Sequence, residues 1–126
     1  GANASGEPLV ALIEEYFASV DRNDIPSTLA TMTADCVLEY RTHGKVYVGR
    51  DTGIRDYFVD RNATVVQSWH GNTVHTVDVP NARVATRFDL RRTDRGAPEQ
   101  SGDNLNLFQF EGARIKRISV WGGLAR

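Results

Sequence analysis

Five side chains in this sequence are suited to moving protons: Tyr16, Asp21, Tyr40, His70 and Asp89. A histidine titrates near neutrality and serves as general acid or base, and a nearby carboxylate orients it. A buried tyrosine hydroxyl needs a partner, and a developing oxyanion can be that partner. Each residue also has a plainer reading. Tyr16 interrupts an apolar helix face and can be a core tyrosine satisfied locally. Asp21 sits where a helix should end and can be a capping or solvated carboxylate. His70 can be an ordinary strand histidine. Asp89 lies in Arg87-Phe88-Asp89-Leu90-Arg91. Alternation there puts Val84, Thr86, Phe88 and Leu90 inward and makes Arg83, Arg87, Asp89 and Arg91 a solvated ionic ladder, the stronger reading for Asp89. His75, five residues beyond His70, belongs on the opposite face of a regular strand. His43 falls in a turn. With 3 histidines so dispersed and 1 cysteine, Cys36, the sequence offers no metal set and no internal disulfide.

The elements that must position these groups follow from periodicity. Leu9, Leu12, Ile13, Tyr16, Phe17 and Val20 recur at helical spacing and predict a helix over residues 7–22, with Pro8 in its first turn. Asn23-Asp24 breaks it and can cap a second, short helix, buried through Leu29 and Met32 and ending near Asp35. Cys36 to Tyr40 and Lys45 to Val48 read as a hairpin across Thr42-His43-Gly44. A third helix is expected over 51–62, capped by Asp51, with Ile54, Tyr57 and Phe58 as its apolar stripe. Strands follow at 65–79, 82–92, 104–110 and 114–121. Gly112-Ala113 suits a type II′ turn, and 93–103 reads as a long mobile hairpin tip. Three helices before a curved antiparallel sheet make an α+β fold.

Strand 104–110 is apolar on both faces: Phe108 and Phe110 on one, Leu105 and Leu107 on the other. One face is expected against the helices and the other against a second copy of the chain, giving a homodimer. The 126 residues make one domain, expected over 7–124 after a flexible, cleaved or truncated segment 1–6. Fifteen basic against sixteen acidic residues argue against a nucleic-acid binder. No apolar run is long enough to span a membrane and no signal peptide is visible, so the cytoplasm is the expected compartment.

The order helix–helix–hairpin–helix–four strands resembles the nuclear transport factor 2-like, cystatin-like cone, and in particular its SnoaL-like members. The stretches carrying the resemblance are Tyr16-x4-Asp21-x2-Asp24, Ala34-Asp35-Cys36-Val37-Leu38-Glu39-Tyr40-Arg41, Gly49-Arg50-Asp51, Trp69-His70-Gly71-Asn72 and Phe108-Gln109-Phe110-Glu111-Gly112. The resemblance implies a curved sheet wrapped around helices, with a blind apolar pocket. Trp69-His70-Gly71-Asn72 is similar to the active-site histidine region of scytalone dehydratase and bile acid 7α-dehydratase, which also carry an aspartate at the place of Asp21. Tyr16 matches an oxyanion-donating tyrosine of ketosteroid isomerases. Those isomerases carry carboxylates where this chain has Tyr40 and Asn106, which speaks against steroid isomerisation. Limonene epoxide hydrolase has an Arg-x-Asp pair at Arg87–Asp89, but its second carboxylate falls near Val120.

The resemblance therefore implies a cofactor-independent, metal-independent lyase or isomerase acting on a hydrophobic, cyclic, oxygenated molecule. His70, Asp21, Tyr16, Tyr40 and Asp89 are its catalytic candidates. Tyr57, Phe58, Phe88, Asn106, Phe108 and Trp121 are its substrate-binding candidates. The rival expectation is a non-catalytic ligand-binding or interaction module of the same fold.

Overall fold

The structure, a computed structural model, describes residues 6–124. Most of the N-terminal segment expected to be flexible, residues 1–5, lies outside the described residues. Gly6 is packed so closely on Val77 that a Cβ there would sit 2.4 Å from Val77 Cγ1.

Helix α1 (Glu7–Asp21) buries Ile13, Tyr16, Phe17, Ser19 and Val20 along one face. It stops where Asn23 turns into the left-handed region at φ 56°. Asp24 then caps α2 (Ile25–Ala30) by accepting a hydrogen bond from Ser27 N at 3.1 Å. Ser19 and Thr28 hydroxyls, 2.8 Å apart, join the two helices where no water reaches. Helix α2 is shorter than the sequence implies. Met32 belongs instead to strand β1 (Met32–Tyr40), because Ile115 N donates to Thr31 O and draws the chain into the sheet.

Strand β2 (Lys45–Val48) pairs with β1 and leads into a six-residue π-helical turn (Gly49–Ile54), from which α3 (Arg55–Thr64) continues. Asp51 does not cap this helix; the neighbouring Arg50 guanidinium holds its carboxylate in two bonds of 2.9 Å. Strands β3 (Val65–Asp78), β4 (Arg83–Asp94), β5 (Gln100–Glu111) and β6 (Arg114–Trp121) complete the sheet in the order β2-β1-β6-β5-β4-β3. The expected long tip at 93–103 is mostly strand, with Arg92 paired to Gln100. Gly112 takes the φ of 58° that its tight turn requires.

The sheet is mixed rather than antiparallel. Strands β1 and β6 run parallel, pairing Leu38 with Ile118 and Tyr40 with Val120. These strands are joined by a crossover that includes α3 and four strands, so local pattern cannot reveal their direction. The concave face receives α1. Phe17 meets Phe88 and Phe108 with ring centroids 4.8 and 5.8 Å apart, and Ile13, Leu38 and Ile118 are fully buried in the same core. Each such side chain contributes about 1.5–3 kcal/mol of burial. No described helix is long and apolar enough to cross a membrane.

Candidate active site

The last residue of α1 and the middle of β3 meet at Asp21. Its Oδ1 accepts hydrogen bonds from His70 Nδ1 at 2.6 Å and Ser68 Oγ at 2.8 Å, and its Oδ2 accepts from the His70 backbone N–H at 2.9 Å. Ser68 and His70 are two residues apart on a strand, so both face the helix. Arg61 of α3 donates to Ser68 Oγ at 2.8 Å, which commits the serine hydrogen to Asp21.

Asp21 therefore receives three donors, and His70 presents Nδ1–H to it. The imidazole is left with its Nε2 lone pair, for which no described residue supplies a partner. The ring is fixed from both sides. Phe17 stacks on it at 4.8 Å and 16°, and Phe88 lies 5.3 Å away.

His70 opens onto a narrow inner cavity of about 80 Å³, shared with Tyr16, Tyr40, Asn104 and Asn106 and closed by Phe17, Phe58 and Phe88. Tyr40, Tyr57, Leu90, Arg92, Asn104 and Val120 also line an outer chamber of about 600 Å³. The two together form a funnel with His70 near its base.

The hydroxyls in the funnel are held in their neutral form. Burial pushes the Tyr16 phenol far above its ordinary range, and burial likewise raises Tyr40 and Tyr57. Tyr40 and Tyr57 bond to each other at 2.7 Å. The Tyr16 hydroxyl has no hydrogen-bond partner among the described residues; only the backbone carbonyl of this residue is engaged, accepting from Ser19 Oγ at 2.8 Å. The Oδ1 atoms of Asn104 and Asn106 are buried and unpartnered as well. Unpaired buried polar groups cost about 1–3 kcal/mol each, so the two asparagine oxygens beside the Tyr16 hydroxyl in one cavity point to a polar guest.

The structure separates other residues from this group. Asp89 is on the convex face, accepting from Asn72 Nδ2 at 2.8 Å and lying 3.7 Å from Arg87, because its neighbour Phe88 takes the inward position. It has no access to the cavity and is not a catalytic candidate. Trp121 is 39% exposed and pairs across the sheet with Leu105, while its neighbour Val120 lines the cavity. Phe108 is fully buried beneath Tyr16 and Phe17 and supports the cavity without lining it. His75 does not take the face opposite His70. A bulge between Gly71 and Val74, with Asn72 at φ 53°, adds a residue and returns His75 to the helix side.

Sequence reasoning missed Arg61, Ser68 and Arg92 as site residues and named Asn104 only as a strand residue. Ser68 was within reach of the alternation argument, two residues before His70. Arg61 and Arg92 look in sequence like ordinary solvated charges. Among the described residues no three His, Cys, Asp or Glu side chains converge as a metal set.

A curved mixed sheet closed by helices around a blind funnel is the nuclear transport factor 2-like cone. Within that class, the SnoaL-like domain family matches residues 7–113, and the chain belongs to it. Its fold is similar to that of an isomerase candidate from Bacillus subtilis, at TM-score 0.84 and 15% identity over 93% of this chain and 87% of that one. A candidate polyketide cyclase from Xanthomonas campestris pv. campestris matches at 0.78 and 18% identity, covering 91% and 90%. A protein of ketosteroid isomerase-like fold from Catenulispora acidiphila, solved with trimethylamine, matches at 0.77 and 14%, covering 86% and 82%. At such identities the likeness concerns the fold. No curated protein matches the sequence.

Proposed function

We propose that this protein is a cofactor-independent lyase or isomerase that moves a proton on a hydrophobic, cyclic, oxygenated molecule. The observation that carries this reading is the state of His70: Nδ1 is committed to Asp21 and Nε2 is unclaimed at a small inner cavity. In this reading Nε2 removes a proton from carbon beside a substrate carbonyl. The Tyr16 hydroxyl donates to the carbonyl oxygen and stabilises the enolate, with the Asn106 amide available to a second polar group. Asp21 stabilises the imidazolium that forms. The imidazolium then returns its proton, to a leaving hydroxyl in a dehydration or to another carbon in an isomerisation. Tyr40, where ketosteroid isomerases have their base, acts through Tyr57 as a fixed wall and donor, so Δ5-3-ketosteroids should not turn over.

The test is proton exchange. Cyclic β-hydroxyketones are incubated with the protein in deuterium oxide, and α-deuteration is followed by NMR. Exchange well above buffer that disappears in His70→Gln supports the reading. Tight binding without exchange would leave a ligand-binding protein of the same fold.

The convex face supports a second copy of the chain as partner. Val74, Arg87, Leu105 and Trp121 form one cross-strand row, in which Val74 and Leu105 are 58% and 42% exposed. Light scattering should return twice the chain mass of 14.0 kDa, and a monomer at micromolar concentration contradicts it.

A further inference from the structure

The inner cavity is too small for the substrate class just proposed. An engineered apolar cavity of about 150 Å³ holds a single benzene ring, whereas the space at His70 is about 80 Å³. Only a ring edge with its oxygen substituents reaches His70 and Tyr16. The rest of the molecule must lie in the outer chamber, whose 600 Å³ falls in the ordinary range of small-molecule sites, about 300–1,000 Å³.

That chamber has its own chemistry. One wall is aromatic: Tyr40, Tyr47 and Tyr57 pack with ring centroids 4.6 to 6.2 Å apart. Another wall is backbone, formed by Gly122 and Gly123 beside His43. The charges are one-sided. Asp94 is the carboxylate in the lining, and Arg92 consumes it in two bonds of 2.7 and 3.0 Å. Lys45 pairs in register with Tyr40 and so shares its inward face, and it has no carboxylate partner among the described residues. Deeper in, Arg61 adds a second cation beside the inner cavity.

We infer that the outer chamber is a subsite for the distal part of an elongated substrate, namely an aromatic ring system bearing a carboxylate, which stacks on the tyrosine wall and places its anion at Lys45. This rests on the proposed function only for the end of the molecule that reaches His70.

The probe is anthraquinone-2-carboxylate, compared by calorimetry with its neutral carboxamide. The acid should bind about three- to fivefold more tightly, the scale of one solvent-accessible ion pair. The preference should shrink at high salt, survive in Lys45→Arg and vanish in Lys45→Gln, with an unchanged melting temperature because Lys45 is exposed on a short edge strand. Equal binding of acid and amide, binding of neither, or a preference that survives Lys45→Gln overturns the inference. His70→Gln should leave the preference intact. If proton exchange fails while the anion preference holds, the catalytic reading falls and the subsite stands.

Discussion

Strand β3 holds two histidines, and each is tied to a carboxylate of α1: His70 to Asp21 at 2.6 Å and His75 to Glu14 at 2.8 Å. They differ in what is left over. His75 has both ring nitrogens engaged, Nε2 with Glu14 and Nδ1 with the hydroxyl of the fully buried Thr86. It is a latch that fastens the helix to the sheet. His70 spends one nitrogen and keeps the other for the cavity. A histidine–carboxylate pair is thus a usable base only where the second nitrogen is free and faces space that a substrate can enter.

The sharpest way to break the comparison is to exchange each histidine. His70→Gln should lower turnover by about 10²–10⁴-fold, the usual contribution of a general acid–base group, with little change in melting temperature. A mutant that keeps its rate and loses stability would make His70 a second latch. His75→Ala should do the reverse. It strands the Thr86 hydroxyl and should cost about 1–3 kcal/mol in urea unfolding, while the folded protein keeps whatever proton-exchange rate His70 supports.

The cavity side can be tested without substrate. Of the 4 tyrosines, Tyr16, Tyr40 and Tyr57 have phenols raised above the ordinary value of 10.0 by burial. Spectroscopic titration of the folded protein should therefore show incomplete phenolate formation at pH 11. The sign for stability follows. Folded-state values exceed unfolded ones, so this contribution is fully present below about pH 10 and is lost as pH rises through the folded values. Full ionisation of all tyrosines before any unfolding would mean that water fills the funnel.

The smallest effect concerns the bulge that makes the comparison possible. Asn72→Gly should change stability by only a few tenths of a kcal/mol, since glycine adopts φ 53° freely and only the bond to Asp89 is lost. Asn72→Val should cost about 1–2 kcal/mol, because a branched residue resists the left-handed region. A crystal structure of Asn72→Val in which the bulge is removed should show His75 off the helix side and its latch undone.

Much of this was legible in the residues. Helical spacing located Tyr16 and Asp21 on α1, and simple alternation separated Phe88 from Asp89. The elements that escaped did so for physical reasons. Parity along β3 fails at Asn72, because one left-handed residue shifts everything beyond it. Met32 reads as helix from its local neighbours and becomes strand because β6, distant in sequence, binds the backbone beside it. Trp121 looks like a pocket aromatic by type, yet strand parity gives the inward position to Val120. The unpartnered atoms of Asn104 and Asn106 depend on the whole cavity, which no local pattern describes.

The parallel pairing of β1 with β6 also bears on how the molecule is made. Glu39 and its partner Arg117 are separated by 78 residues, and a contact of that span is slow to close because its loop entropy comes first. Strands β3 to β6 can pair by hairpins as they emerge from the ribosome, whereas β1 must wait, carrying β2 with it and leaving Leu38 and Tyr40 uncovered. The funnel borders both β1 and the hairpin strands, so it is absent until β6 has been synthesised. During that interval the β1–β2 hairpin is the segment most exposed to chaperones and to pairing with another nascent chain.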